Sequence, residues 1–480
     1  MTAYIIPSIL IAFIIFISII LIRTIRFKPH PQPEPLTGEI HLNRNKILAD
    51  MQKMIRCKTV SHMDEKQTDF GEFEKFRRLL EEQFPLVNQY AKKHLIGKTG
   101  VLYQLQGESA EKPSVCMAHY DVVPVDEEAW EKPAFAGILE GDVLWGRGTL
   151  DTKGTVCGIM EAAEQLLSEG YVPKRDLYLA FCGDEETTGE SCEAVVDWFW
   201  QHGIRPELVL DEGGAVVENV FPGVPGECAM IGIAEKGYIN LQLTLKSNGG
   251  HSATPPEHTV VGKLAQAMVA IEAHPFPAQM TKPVAAMFDT LGRHSGFGYR
   301  MIFANIKLFQ PILFRFCQKA GDEFNAMMRS TCALTKMEGS KAFNVLPPSG
   351  QIGMNLRLLG EDTVDSAIAY LKKVVKNDDI IYAVQTGTNP SDSSDVNCEQ
   401  WELLRQVVHT TFPQAIVSPY LMMACSDARQ YCRITDKVYR FSPMKMSNEE
   451  RALIHGHNER IPVDTLLKTV EFYIRLMRCL

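Results

Sequence analysis

SVCMAHYD, residues 114–121, contains an apolar run that is typical of a buried strand and ends on His119. Two further runs end on acidic side chains: 176–182 (DLYLAFC) precedes Glu185 and Glu186, and 207–210 (ELVL) precedes Asp211. In wound α/β sheets, ligands gather at the carboxyl ends of the strands. We therefore expect these side chains to meet at one edge of a sheet.

Asp151 can reach the same edge, because it lies in the glycine-rich turn GRGTLDTKG (146–154) just before a helical pattern. Imidazole and carboxylate ligands suit zinc, and a carboxylate can bridge two ions about 3.5–4 Å apart. Each residue alone has a structural alternative: a turn former for Asp151, a solvated helix start for the glutamates, and a satisfied core histidine for His119. Their equivalent placement at strand ends favours a metal site.

Composition limits the class of protein. The 480 residues are 45% hydrophobic and 22% charged, which is typical of a globular protein of two or three domains. The formal net charge of −9 argues against binding by phosphate neutralisation, so we predict no nucleic-acid partner.

The amino-terminal segment is typical of a membrane anchor. Residues 4–22 carry no charge, and at about 1.5 Å per residue they would extend roughly 28 Å as a helix. Arg23, Arg26 and Lys28 follow the segment, so the positive-inside rule predicts a single-pass anchor with a cytoplasmic body. An uncleaved anchor with a lumenal or extracellular body is the alternative.

The remaining patterns predict an α/β fold: a wound catalytic sheet with helices on both faces, an inserted smaller α+β lid domain, and the amino-terminal transmembrane helix. Strands alternate with helices up to Gly237, where 238–247 (YINLQLTLKS) changes to a polar–apolar alternation. We predict five segments: an anchor at 1–28, a proline-spaced linker at 29–35, the first part of the catalytic domain at 36–236, the lid at 237–388 and the second catalytic part at 389–480.

Six motifs in order resemble those of the M20 family of dinuclear zinc peptidases and acylases. They are HYD (119–121), GRGTLDTKG (146–154), DEE (184–186), DEGG (211–214), GGHSATPP (249–256) and HGHNE (455–459). The resemblance covers nearly everything after residue 40. AEKGYINLQL, TCALTK, FNVLPP and YRFSPM (234–243, 331–336, 343–348 and 439–444) are most similar to the branch of N-fatty-acyl-amino-acid synthase/hydrolases and carboxypeptidase S.

The resemblance implies two zinc ions with Asp151 as the shared ligand. One ion would be held by His119, Asp151 and Asp211, and the other by Asp151, Glu186 and His455. It further implies Glu185 as general base and Asp121 as the residue that orients His119. The family spacing H-x-x-N-E selects His455 over its neighbour His457, which is the alternative ligand, and Glu459 is interpreted as structural.

The lid is expected to contribute substrate contacts. His251 resembles a histidine that stabilises the tetrahedral oxyanion, often in the active site of a partner subunit, which implies a homodimer through the lid. Asn344 and Arg357 match the family's substrate residues, with Arg357 as the clamp for a substrate carboxylate. Arg429 in SDAR (426–429) is a second candidate, although Cys425 and Ser426 stand before Asp427 where relatives commonly have a glycine and a threonine.

The function that follows is hydrolysis of N-fatty-acyl amino acids, and the same chemistry could run as condensation. The apolar stretch 301–316 is either an acyl-chain lining or plain lid core. A carboxypeptidase or dipeptidase acting on small peptides is the alternative within the class. A membrane-tethered binding protein without catalysis is the alternative outside it.

Overall fold

The computed structural model describes residues 2–480. The described residues form fifteen α-helices: α1 (Thr2–Arg26), α2 (Arg44–Arg56), α3 (Phe70–Gln83), α4 (Pro85–Tyr90), α5 (Lys153–Ser168), α6 (Glu190–Gln201), α7 (Val260–Ala273), α8 (Lys282–His294), α9 (Phe297–Ala304), α10 (Ile306–Lys319), α11 (Asp322–Met327), α12 (Val364–Val375), α13 (Glu399–Thr411), α14 (Asn448–Arg451) and α15 (Val463–Cys479). Short 3-10 helices lie at Glu65–Gln67, Glu127–Ala129 and Asp427–Arg433.

Seventeen strands are formed within the same residues: β1 (Ala91–Ile96), β2 (Gly100–Leu105), β3 (Ser109–His119), β4 (Ile138–Glu140), β5 (Val143–Trp145), β6 (Arg175–Cys182), β7 (Leu208–Glu218), β8 (Glu227–Glu235), β9 (Gly237–Lys246), β10 (Gly250–His251), β11 (Thr331–Glu338), β12 (Val345–Leu346), β13 (Ser349–Leu358), β14 (Ile381–Thr388), β15 (Ile416–Met422), β16 (Val438–Lys445) and β17 (Arg460–Pro462).

The large sheet has eight strands in the order β1-β2-β6-β3-β7-β16-β8-β15. Its centre is parallel, since β3 pairs in parallel with β6 and β7, and β7 with β16. The strands β1 and β2 add an antiparallel edge, and β8 runs antiparallel to β7. The continuous apolar runs noted in the sequence are these central strands, which need cover on both faces. The predicted wound α/β sheet is confirmed.

Alternation along the central strands separates two hydrophobic layers. On β3, Cys116 and Ala118 face the layer that contains α2, α3, α5 and α15, whereas Val115 and Met117 face α6 and the 3-10 helix Asp427–Arg433. Helices therefore cover both faces of the sheet. This sandwich leaves the carboxyl ends of β3, β6 and β7 at one edge, where polar side chains can meet.

A second sheet has four antiparallel strands in the order β11-β13-β9-β14. Alternate residues of β9, such as Ile239 and Leu241, are buried against α7 and α12, which confirms the half-exposed strand predicted at 238–247. In contrast, α8 to α11 contribute Phe288, Leu291 and Phe303 to the core of the large sheet. The division at residues 237 and 388 stays a prediction.

Helix α1 is long and apolar enough, over Ile5–Arg26, to cross a membrane by length and composition. A signal sequence at this position would have the same properties. Most of its side chains are exposed, but Ile20 and Thr24 are buried where α1 packs against α9.

Candidate metal centre

His119 ends β3 with its imidazole buried and held from one side. Its Nδ1 lies 3.1 Å from the backbone carbonyl of Asp121 and 3.3 Å from the Oδ1 of the same residue. Because a carbonyl oxygen only accepts, Nδ1 carries the proton and donates it to Asp121. The lone pair of His119 Nε2 is thereby free to face the other polar side chains at this edge.

Asp151 stands between two histidines, with one carboxylate oxygen turned toward each. Its Oδ1 is 2.9 Å from His119 Nε2, and its Oδ2 is 3.0 Å from His455 Nε2. The residue lies in the turn between β5 and α5, and its peptide bond to Thr152 is cis. A carboxylate in this arrangement can serve two ions at once.

Two groups of donor atoms form around Asp151. In the first, Glu212 Oε1 lies 3.2 Å from His119 Nε2. In the second, Glu186 Oε2 lies 3.0 Å from His455 Nε2. The donor atoms of each group, Asp151 included, all lie within 4.8 Å of one another. Tetrahedral ligands at zinc distances are about 3.3 Å apart, so this spacing and donor set fit a divalent ion in each group.

Asp121 fixes the turn that carries the paired glutamates. Its Oδ1 accepts a hydrogen bond from the backbone N–H of Glu185 at 3.2 Å, and its Oδ2 accepts one from that of Glu186 at 3.1 Å. Ser61 Oγ donates a third at 2.6 Å. The two glutamates then diverge: Glu186 faces His455, and Glu185 Oε2 lies 4.0 Å from His119 Nε2. One buried carboxylate thus orients both the histidine and the acidic pair.

Glu459 joins the two loops that supply Asp151 and His455. Its carboxylate is fully buried and accepts hydrogen bonds from the backbone N–H groups of Gly148, Leu150 and Asp151 at 3.0, 2.7 and 3.2 Å. Arg147 Nη1 also donates to it at 2.7 Å. These contacts suit a structural residue. They show that Glu459 holds the backbone of the turn that carries Asp151.

Electrostatics favour cations at this edge. Burial raises the pKa of Glu186 and of Glu212 to about 7, and it raises the pKa of Glu185 well above its usual range. Hydrogen bonds that the His455 imidazole donates to the carboxylates of Asp151 and Glu186 raise the pKa of His455 to about 10. The site therefore holds more carboxylates than two imidazoles can neutralise. Bound divalent ions would lower the free-energy cost of burying these negative charges.

At positions 211 and 212 the geometry differs from the ligand set that the resemblance implied. Asp211 Oδ2 accepts a hydrogen bond from the backbone N–H of Ala428 at 3.0 Å, and Asp211 is absent from both donor groups. Glu212 occupies that position instead. Alternation explains the difference: Val209 faces the α6 layer, so Asp211 turns that way, and Glu212 follows Leu210 toward the α5 layer. The alternation over 207–212 is the sequence signal that distinguishes Glu212 from Asp211.

The histidine choice in HGHNE agrees with the geometry, because His455 and not His457 belongs to the second donor group. The four expected substrate residues lie elsewhere. His251 is exposed on β10, where its Nδ1 accepts from the N–H of Ala253 at 3.1 Å. Asn344 is close by, since its backbone carbonyl accepts a hydrogen bond from the N–H of Ser252 at 3.2 Å.

Arg357 and Arg429 meet at one aromatic ring. Each guanidinium carbon lies 5.8 Å from the ring centroid of Tyr238. Arg357 Nη1 also donates to Cys425 Sγ at 3.5 Å, and Arg429 Nη2 donates to the carbonyl of Asn389 at 3.1 Å. The two candidates for a carboxylate clamp are therefore neighbours, at the joint between the small sheet and the loop 425–429.

Paired histidine–carboxylate groups that share an aspartate, at the carboxyl edge of a wound sheet, define a class of metal-dependent hydrolases. The family model described as peptidase family M20/M25/M40 matches residues 115–478, and the chain belongs to that family. It is accordingly a hydrolase of amide bonds.

Relatives cover almost the whole chain. The "Probable carboxypeptidase S-like 2" of Dictyostelium discoideum is 32% identical over 96% of this chain and 91% of its own. The N-fatty-acyl-amino acid synthase/hydrolase PM20D1 of Xenopus tropicalis is 32% identical over 98% of this chain and 93% of its own.

Solved structures share the fold. The M20 family metallo-carboxypeptidase Sso-CP2 from Sulfolobus solfataricus has a TM-score of 0.66 at 16% identity, covering 90% of this chain and 99% of its own. Another, the YXEP protein of Bacillus subtilis, has a TM-score of 0.56 at 11% identity over 90% of this chain and 97% of its own, and is described as a dinuclear metal-binding peptidase of the M20 family.

Proposed function

We propose that this protein is a zinc-dependent amidohydrolase that cleaves, and can also form, the amide bond of N-fatty-acyl amino acids. The observation that carries the proposal is the Asp151 carboxylate shared between two histidine–carboxylate groups, with Glu185 beside them. The substrate class rests on similarity to N-fatty-acyl-amino acid synthase/hydrolases across 98% of the chain.

The proposed ligands follow the two donor groups. His119, Asp151 and Glu212 would hold one ion, and Asp151, Glu186 and His455 would hold the other. Nitrogen and carboxylate oxygen donors without thiolate suit zinc among the divalent metals. When bound, two such ions lower the pKa of a water molecule and polarise an amide carbonyl.

The chain's own contribution to the chemistry is proton transfer by Glu185. Its carboxylate lies beside His119 but outside both donor groups, so it remains free to accept a proton from the attacking water. The same group would then return that proton to the leaving amine. Asp121 is a positioning residue here. Its carboxylate accepts a hydrogen bond from the backbone N–H of Glu185, and its backbone carbonyl accepts one from the imidazole N–H of His119.

Recognition of the amino-acid carboxylate is assigned to Arg357 and Arg429. Two guanidinium groups on one Tyr238 ring make a site of concentrated positive charge. A guanidinium binds a carboxylate through two parallel hydrogen bonds. The free carboxylate of an N-acyl amino acid and the carboxyl terminus of a peptide would bind there equally well, so this pair does not distinguish the two substrates.

His251 and Asn344 are proposed to complete the site from a partner subunit. His251 lies on the exposed β10–β12 ribbon and Asn344 directly precedes β12, and both are outside the donor groups of their own chain. In the assembled homodimer His251 would stabilise the negative charge that develops on the carbonyl oxygen.

We also propose that α1 anchors the protein in a membrane, with the body on the cytoplasmic side because Arg23, Arg26 and Lys28 follow the apolar span. An anchor would keep the hydrolase at the surface in which fatty-acyl substrates dissolve. The five-segment organisation at 1–28, 29–35, 36–236, 237–388 and 389–480 forms part of this proposal.

A carboxypeptidase is the second candidate, favoured by the similarity to a carboxypeptidase S-like relative over 96% of the chain. The deciding experiment compares an oleoyl amino acid with a dipeptide that shares its carboxy-terminal residue, using full-length protein in detergent with and without added zinc. Preference for the oleoyl compound supports the fatty-acyl function, and preference for the dipeptide replaces it with peptidase activity.

The matched control for that experiment is Glu185→Gln. General base catalysis contributes about 10²–10⁴ in rate, so kcat should fall by that order on either substrate while two zinc ions per chain remain by elemental analysis. Equal turnover by the variant would remove Glu185 from the mechanism. Absence of zinc together with absence of turnover in the wild type would favour a tethered binding protein.

A further inference from the structure

Helix α10 carries an apolar stripe that is largely exposed. Leu308, Ile312 and Phe316 follow one another at four-residue spacing and are 48%, 58% and 37% exposed. Leu313 and Cys317, about 100° further round the helix, are buried in the core, and the Phe316 ring at the end of the stripe lies 6.2 Å from that of Phe221. Such a contiguous exposed apolar surface marks an interaction site. The stretch 301–316 is therefore divided between core packing and an outward face, and neither part joins the donor groups of the metal centre.

The membrane-spanning candidate packs directly beside this stripe. Asn305, which joins α9 to α10, is buried and donates its side-chain N–H to the carbonyl of Ile20 on α1 at 3.4 Å. Arg293 on α8 lies over the ring of Phe27, 4.3 Å from the centroid, and donates to the carbonyl of Lys28 at 3.0 Å. Helix α10 thus begins at a fixed level along α1.

With α1 as the proposed membrane span, that level lies near the boundary of the bilayer. Ile5 to Ile20 spans sixteen residues, or about 24 Å of helix, against a hydrocarbon core about 30 Å thick. Arg23 and Arg26 follow within two turns and belong among the headgroups. The stripe on α10 therefore starts where hydrocarbon gives way to polar lipid.

Charge complements that position. Residues 297–319 contain four basic side chains (Arg300, Lys307, Arg315 and Lys319) and no acidic one, although the whole chain has a net charge of −9. Lys307, Arg315 and Lys319 are exposed on α10 together with the apolar stripe. An exposed apolar face flanked by basic residues is the composition of a helix that lies in the interface of an anionic bilayer.

We infer that α10 docks on the bilayer surface through Leu308, Ile312 and Phe316, as a second membrane contact beside α1. The inference rests on the proposed anchoring of α1. Docking would fix the orientation of the body. It would also connect the bilayer surface to the segment that carries His455, because Glu323 on the next helix, α11, pairs at 3.5 Å with Arg451, the last residue of α14.

The test places a photo-crosslinking residue, p-benzoylphenylalanine, at one of three exposed positions of the full-length chain in phosphatidylcholine–phosphatidylserine vesicles with a tagged lipid. Position 312 reports docking, and position 13, within α1, reports anchoring. Position 200 on α6 is the matched control, since Trp200 is 58% exposed, as Ile312 is. Helix α6 packs on β1 and β2, whereas α8 packs on β15 at the other edge of the sheet, about 34 Å away over seven strand spacings.

Docking predicts lipid labelling at 13 and at 312, with labelling at 312 exceeding that at 200 by about tenfold or more. Labelling at 13 with equal, low labelling at 312 and 200 would overturn the docking inference and leave the anchor intact. No lipid at position 13 would instead overturn the anchor itself. A crosslink from 312 to a second copy of the chain would assign the stripe to a homodimer and also overturn docking on lipid.

Discussion

Glu459 is the residue on which the relative position of the two donor groups depends, because it holds the Asp151 turn from the loop that carries His455. Glu459→Gln removes one of its two acceptor oxygens. We expect metal affinity to fall about 10–100-fold, as for other residues that orient metal ligands. Isothermal titration of the chelated protein with zinc measures this.

Glu131→Gln is the matched control for that change. Glu131 is exposed and contacts Asn458, the neighbour of Glu459, through a hydrogen bond of 3.4 Å from the asparagine amide. The variant Glu131→Gln should leave the zinc affinity unchanged. An equal effect from both variants, or no effect from Glu459→Gln, would contradict the assigned role.

The family motif and the side-chain geometry name different zinc ligands: the motif implies Asp211, and the geometry places Glu212 in the donor group. Glu212→Gln should lower the zinc content from two ions per chain toward one, because the amide is a poorer ligand and the donor group of His119 is left incomplete. Asp211→Asn should keep both ions, since an amide oxygen still accepts from the N–H of Ala428. Elemental analysis of both variants decides, and the reverse pattern would restore Asp211 as ligand.

At the scale of elements, the residues at strand ends were the part of the site that the sequence could predict. His119, Asp151 and Glu186 enter the donor groups, because apolar runs and a glycine-rich turn mark where their elements stop. His455 also enters, but only the resemblance to the family motif H-x-x-N-E predicted it. Glu212 was missed because two adjacent acids face opposite layers and only their alternation distinguishes them. Contacts such as those of Glu459 join residues about 310 positions apart, which no local pattern reveals.

The packing of helices α8 to α11 is a second feature that the sequence did not predict. The sequence indicated an apolar-rich insertion, but periodicity does not state which core a helix joins. Their buried residues, among them Phe288 and Phe303, pack around Phe221 from the β7–β8 connection, so the insertion reinforces the large sheet.

Lys236 ties the joint between β8 and β9 to the end of α11, and it makes stability depend on pH. Its buried ammonium donates to the carbonyls of Ala326 and Arg329 at 2.8 and 2.9 Å. Burial lowers the pKa of Lys236 to about 8, from 10.5 in the unfolded chain. Between these values the unfolded state binds more protons, so the free energy of unfolding should rise with pH in this window.

The size of that effect is about 1.4 kcal/mol per pH unit at most, and it should disappear in Lys236→Met. Urea unfolding of both proteins between pH 8 and pH 10 measures it as the difference between the two slopes. Other titrating groups contribute equally to both proteins and cancel. Parallel curves would show that Lys236 titrates alike in the folded and unfolded chain.

For the whole molecule, the proposed homodimer determines whether one chain makes a complete active site. The chain itself holds the donor groups and Glu185, yet His251 is exposed on the β10–β12 ribbon. If a partner supplies this histidine, the proton-transfer group and the oxyanion donor of each site belong to different chains. Loss of either one can then be compensated within a mixed dimer.

Mixing Glu185→Gln with His251→Ala protein tests that arrangement. Each variant alone should be nearly inactive, but random exchange would make half of the dimers mixed, each with one intact site, so about a quarter of wild-type turnover should return. Turnover should rise on mixing and follow the proportion of mixed dimers measured by native mass spectrometry. Full subunit exchange without regained turnover would mean that His251 acts within its own chain, by closure of the small sheet over the metal centre.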